Sequence, residues 1–173
     1  MKKLILLAGI CTLCLAKTMA QKETKKFSVG FGIEGGIPVG PPSDLYQVAL
    51  GLTVRFSYHV GPGFVTLTGG GIGYDPKTIV VGQKKKVGLQ IPVRAGYKYI
   101  IQHHFFVMGE VGYSEFKSYY GSNGELLSTT QGSFIAAPTV GVQFNAFEIG
   151  LRYGIDFRSG GGGLFGVRLG FNF

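Results

Sequence analysis

Gly30-Phe31-Gly32-Ile33-Glu34-Gly35 and Gly161-Gly162-Gly163-Leu164-Phe165-Gly166 both fit G-x-G-x-x-G, the spacing with which a strand-to-helix turn cradles a dinucleotide pyrophosphate. Neither opens a helical pattern, and the first runs directly into Pro38-Val39-Gly40-Pro41-Pro42. The glycines therefore read as room inside a narrow barrel or at a hairpin turn. Metal chemistry has three histidines to draw on, His59, His103 and His104. Adjacent residues of an extended chain point to opposite faces, so His103 and His104 do not converge on one ion. The charged residues that share a parity along the chain are Glu34, Glu110, Glu148 and Asp156 against Arg55, Arg94, Lys98, Arg152 and Arg168. No two of these acids are grouped with a nucleophile, so acid-base catalysis has no candidate residues. No catalytic residue, cofactor site or metal site is assigned. As counter-charged side chains on one face of many strands, the nine read instead as an internal ion-pair network.

The elements that must carry these charges have a period of two. Phe27, Val29, Phe31 and Ile33 alternate with small or polar residues, and so do Val48, Leu50, Leu52, Val54, Phe56 and Tyr58. The same pattern returns at Val87–Tyr99, Phe105–Tyr113, Phe134–Phe144, Phe147–Phe157 and Phe165–Phe173, giving seven clear strands. An eighth, roughly Phe64–Tyr74, changes parity between Leu67 and Ile72, and Gly69-Gly70-Gly71 falls at the change, so a β-bulge is expected there. Pro92 and Pro138 lie within strands and remove ladder donors, so bulges are expected there too. Segments of about ten residues suit tilted strands crossing a bilayer. The connections alternate between long (37–46, 75–86, 117–132, 158–163) and short (60–63, 100–104, 145–146). Residues 94 and 110 stand equally far from the centre of the 100–104 turn and share parity, so Arg94 and Glu110 are expected to pair.

Composition narrows the class further. Glycine supplies 30 of 173 residues, 45 % of the chain is hydrophobic and only 15 % charged. That excludes a disordered linker and sits below the roughly 25 % charge of ordinary soluble domains. Residues 1–20 carry Lys2-Lys3, an apolar run from Leu4 to Ala16 and Thr18-Met19-Ala20, the pattern of a cleaved secretory signal peptide. Both cysteines, Cys11 and Cys14, lie inside it, so residues 21–173 should form the mature domain without a disulfide. Losing Lys2, Lys3 and Lys17 lowers the formal net charge of +8 by three. The remaining basic residues are scattered apart from Lys84-Lys85-Lys86, and an exported chain offers no reason to expect nucleic acid.

The large apolar parity could line the inside of a secreted lipocalin-like carrier or face lipid around a closed barrel. The signal peptide, the loop alternation and aromatics near strand ends favour lipid. In this pattern the chain resembles the small outer-membrane β-barrel proteins of Gram-negative bacteria, the OmpX-like and OmpA-transmembrane-domain-like group often labelled porin family. The resemblance spans Phe27 to Phe173. Its most specific part is Phe165, Val167, Leu169, Phe171 and the terminal Phe173, similar to the C-terminal strand read by the outer-membrane assembly machinery. Arg168 stands where many such strands have glycine.

The resemblance implies an all-β, eight-stranded antiparallel up-and-down transmembrane β-barrel in the cell outer membrane, with both termini periplasmic. It further implies a structural or surface-interaction role through the extracellular loops, without enzymatic activity. The alternatives are a small-solute porin-like channel, a lipid-modifying outer-membrane enzyme and the lipocalin-like carrier. Implied partners are outer-membrane lipids, lipopolysaccharide and the assembly machinery. Lys84, Lys85 and Lys86 carry the charge to contact lipopolysaccharide phosphates, although a solvated loop tip is the more ordinary reading. Tyr119-Tyr120 and Leu126-Leu127 could form a contact patch for a surface partner or pack the loop on the rim.

Overall fold

The computed structural model describes residues 26–77, 87–102, 104–122, 125–158 and 161–173. Eight strands follow one another in an up-and-down order: β1 (Phe27–Val39), β2 (Tyr46–Val60), β3 (Gly63–Pro76), β4 (Val87–Ile101), β5 (Phe105–Ser122), β6 (Glu125–Phe144), β7 (Phe147–Asp156) and β8 (Gly162–Asn172). Each pairs antiparallel with its neighbours in sequence, and β1 pairs with β8 from Gly30↔Asn172 to Val39↔Gly163, closing the barrel. A short helix, α1 (Pro42–Leu45), joins β1 to β2. Phe27 and Phe173 lie with the starts of β3, β5 and β7 at one rim, the turn end; α1 and the starts of β4, β6 and β8 mark the other, the loop end. Gly61, with φ +60°, and Gly40, with φ +76°, sit at the start of their connections in a conformation that side chains disfavour.

The two parities separate by chemistry. Outward residues are large, apolar and exposed: Leu52 at 68 %, Val111 at 66 % and Phe134 at 72 %. Inward ones are buried and in large part polar, with Arg55 and Arg168 at 0 %. This inverts a water-soluble barrel, and buried charges occupy the middle of the lumen where a lipocalin-like carrier would be apolar throughout. An apolar belt around the whole circumference far exceeds the few hundred Å² that a soluble surface tolerates, and hydrocarbon is the solvent that suits it.

Three local expectations change. The register of β3 against β2 runs unbroken from Asp75 to Gly63, so Gly69-Gly70-Gly71 is no bulge. Ile72 and Tyr74 face inward, because the loop-end part of the lumen is apolar and aromatic. Pro92 and Pro138 also leave the register unshifted. Pairing between β3 and β4 lapses between Gly69↔Val93 and Ile72↔Gln90, and between β6 and β7 from Ala136↔Ile155 to Thr139↔Arg152, then resumes in step. A missing donor opens the ladder there without inserting a residue.

The segment expected as the longest loop, 117–132, is mostly strand. β5 and β6 stay paired out to Ser122↔Glu125, and the residues between are Asn123-Gly124, the strongest short-range hairpin signal. β5 pairs with β4 only as far as Tyr119, and β6 pairs with β7 only as far as Ile135. Among the described residues the hairpin therefore overreaches its neighbours, and the β5–β6 connection is not a long loop.

Candidate functional site: the barrel lumen

Strand parity sends the charges inward, and closure brings together residues far apart in sequence. Glu34 on β1 accepts hydrogen bonds from Arg94 Nη2 on β4 at 3.0 Å and from Arg152 on β7, with Arg168 Nε at 3.7 Å. Glu110 on β5 accepts from Arg152 Nη2 at 2.7 Å and from the Thr68 hydroxyl at 2.6 Å. Arg55 approaches it to 3.8 Å. Glu148 on β7 accepts from Arg55 Nη1 at 2.6 Å, Lys98 Nζ at 2.7 Å and Arg168 Nη1 at 2.8 Å. Each carboxylate thus faces at least three cations, and each cation except Lys98 lies within 4 Å of two carboxylates. Threonines take up further donors: Arg55 Nε donates to Thr68 at 3.1 Å, Arg152 Nε to Thr139 at 3.1 Å and Arg168 Nε to Thr53 at 3.3 Å.

Glycine makes room for these side chains. A Cβ at Gly32 would lie 2.6 Å from Cζ of Arg168, and one at Gly170 would meet the same guanidinium. Both belong to the β1–β8 seam, where Gly32 pairs with Gly170. The G-x-G-x-x-G at residues 30–35 therefore lies in a strand, and part of its function is to admit an arginine.

Of the nine charges singled out by parity, Asp156 stands apart. It accepts from Ser133 Oγ at 2.6 Å and pairs with Arg158 at 2.6 Å, towards the loop end. Arg94 and Glu110 do not stand opposite each other: Arg94 pairs with Gly112 and Glu110 with Gly96, because the strands meet at Ile101↔Phe105. Their side chains approach only to 3.9 Å, and Arg94 turns across the lumen to Glu34.

Above this layer the lumen changes character. Tyr46, Tyr74 and Phe116 form a three-ring cluster with centroids 5.2 to 5.9 Å apart, packed with Ala49, Ile72 and Leu164. The Tyr74 hydroxyl donates to Gln90 at 2.8 Å, and Gln90 donates to Ser114 at 3.0 Å. A cavity of about 300 Å³ lies beside these rings. Sequence reasoning missed it because its inward residues, Tyr46, Ile72, Tyr74 and Ile135, break the polar parity.

The remaining candidates are distributed around the barrel. Phe165, Val167, Leu169 and Phe171 face outward along β8, and the Phe171 and Phe173 rings lie 4.9 Å apart at the turn end. His59 stacks edge-on against Phe64 and His104 packs on Phe144, both at that end. Lys84, Lys85, Lys86 and His103 lie outside the described residues, as does the expected signal segment. No group of three or more His, Cys, Asp or Glu that could hold a metal occurs among the described residues.

No protein-family model matches the chain. No curated protein matches it in sequence. Solved structures do match in fold. Ail, the attachment invasion locus protein of Yersinia pestis, superimposes with a TM-score of 0.61 at 15 % identity over 85 % of this chain and 97 % of Ail. The N-terminal β-barrel domain of Pseudomonas aeruginosa OprF gives 0.63 at 14 % identity over 84 % and 97 %. Neisserial surface protein A gives 0.59 at 11 % identity over 86 % and 98 %. The chain thus has the closed eight-stranded up-and-down barrel fold that these proteins share.

Proposed function

We propose that the protein is an integral outer-membrane barrel that acts at the cell surface through its loop end and performs no catalysis. The observation that carries this reading is the β5–β6 hairpin, which among the described residues extends past both neighbouring strands. Along residues 125–133 the outer edge of β6 has no partner strand among the described residues. That leaves roughly 30 Å of backbone donors and acceptors open to pairing with an incoming chain. The apolar belt supports membrane insertion, and the signal segment at residues 1–20 supports export by a cleaved leader. The fold match to Ail, OprF and Neisserial surface protein A supports the outer membrane as its location. Short connections at the rim that holds Phe27 and Phe173 support a periplasmic turn end.

The lumen supports a plugged barrel over a porin-like channel. An eight-stranded barrel has an interior only wide enough for side chains, and here Arg55, Arg168, Glu110 and Glu148 fill it at 0 to 1 % exposure. The lumen carboxylates Glu34, Glu110 and Glu148 are each held by guanidinium or ammonium groups, which argues against these three as a general base for a lipid-modifying reaction. The outward residues Phe165, Val167, Leu169, Phe171 and Phe173 are the segment we assign to the outer-membrane assembly machinery. Lys84, Lys85 and Lys86 supply the charge for a lipopolysaccharide contact, with a solvated loop tip the more ordinary reading of them.

An epitope inserted between Ser122 and Glu125 tests the surface reading. Antibody should label it on intact cells, and the unheated protein should migrate faster in electrophoresis than the boiled one. Labelling only after permeabilisation would refute the orientation. Large, steady conductance in planar bilayers would replace the plugged barrel with a pore.

A further inference from the structure

The loop-end cavity combines three features that the surface reading does not use. Its wall is apolar and aromatic, formed by Tyr46, Tyr74, Phe116, Ile135 and Leu164. Its floor is the Glu34, Arg94 and Arg152 group, and Asp156 and Arg158 stand on its upper lining. Its volume of about 300 Å³ falls at the lower limit of small-molecule sites.

The charges around this space set what it attracts. The network below holds Arg55, Arg94, Lys98, Arg152 and Arg168 against Glu34, Glu110 and Glu148, an excess of two positive charges among the described residues. Asp156 and Arg158 neutralise each other at 2.6 Å. The excess is matched by unmet donors. Nε of Arg94 and Nε of Arg158 are buried without a hydrogen-bond partner, and both residues line the cavity. Arg94 is 4 % exposed. The Arg158 guanidinium lies over the Phe116 ring at 4.8 Å, so its charge stands beside the aromatic wall.

A buried positive excess with unsatisfied N–H groups is costly, and an anion entering from the loop end relieves both. The apolar wall excludes a bare inorganic anion as the best match. We propose that this cavity is a binding site for one small amphipathic organic anion, with its charged head towards Arg94 at the floor and its apolar body against Tyr46, Tyr74 and Phe116.

Calorimetric titration of the barrel in phosphatidylcholine nanodiscs, with 4-phenylbutyrate and 4-phenylbutan-1-ol as probes and empty nanodiscs subtracted, tests the site. The carboxylate should bind saturably at one site, and the alcohol about tenfold more weakly, the worth of one charge-assisted hydrogen bond. Arg158→Gln leaves the Asp156 carboxylate uncompensated on the lining and should erase that preference. Leu164→Trp should abolish binding of both probes by filling the wall, and Ile135→Phe does the same from another strand. The heat-dependent gel shift reports that each variant has closed. Equal affinity for acid and alcohol would overturn the anion assignment. Absence of saturable heat with the folded parent, or binding unchanged by Leu164→Trp and Ile135→Phe, would overturn the site.

Discussion

The two halves of the lumen solve the same packing problem with opposite chemistry. Towards the turn end, Glu110 and Glu148 each bind cations from several strands, so the side chains cross-link the wall. Towards the loop end, Tyr46, Tyr74 and Phe116 lean on one another and leave a cavity beside them. The difference teaches where stability and adaptability reside in this barrel. A buried ion network fails sharply when one partner goes, whereas an aromatic tier beside a cavity tolerates change and offers space.

The largest effect should come from breaking the turn-end half. Glu148→Gln leaves Arg55, Lys98 and Arg168 without their shared carboxylate, and should cost about 3–5 kcal/mol in a urea titration followed by circular dichroism. Adding Lys98→Met should recover part of that loss, a coupling of about 0.5–3 kcal/mol. The same cycle sharpens the register: Arg94 with Glu34, 3.0 Å apart, should couple more strongly than Arg94 with Glu110, 3.9 Å apart.

An intermediate effect is expected at the seam. Gly32→Ala drives a methyl group against the Arg168 guanidinium and should lower stability by about 1–3 kcal/mol in the same titration. Smaller again is Tyr74→Phe in the loop-end half, about 1 kcal/mol, because it removes one hydrogen bond to Gln90 while Gln90 keeps Ser114. Gly71→Ala should change stability by no more than about 0.5 kcal/mol, since its Cβ would point outward with Leu89 no closer than 4.0 Å. A Gly71 effect as large as that of Gly32 would mean that the two faces of β3 are exchanged.

Much of this was legible in the sequence because a strand's period is local. Alternation alone places Leu50, Leu52 and Val54 on one face and Arg55 on the other. Partners across the lumen are a different matter. Arg94 meets Glu34 from 60 residues away, and Arg152 meets it from 118, so their contacts depend on closure and on the register of every intervening hairpin. A turn centre misplaced by one residue moves Arg94 two positions along β5, and this is why symmetry about 102 paired it with Glu110. Ile72 and Tyr74 misled for a second reason. Parity reports the face only while each face keeps one chemistry, and the lumen becomes aromatic halfway up. In the β5–β6 hairpin, Ser118, Ser128, Thr129 and Thr130 looked like loop, although Asn123-Gly124 marked the turn signal.

Along β2 one face of the strand meets lipid and the other a lumen plugged by buried ion pairs, and nitroxide accessibility tests this most directly. Residues 21–173 contain no cysteine, so single cysteines from Leu50 to Phe56 can each be labelled and the barrel reconstituted in bilayers. Labels at Leu50, Leu52, Val54 and Phe56 should respond to dissolved oxygen and be shielded from a water-soluble nickel complex, while those at Gly51, Thr53 and Arg55 should be shielded from both. Nickel access at Leu50, Leu52, Val54 and Phe56, or no alternation along the strand, would contradict the account.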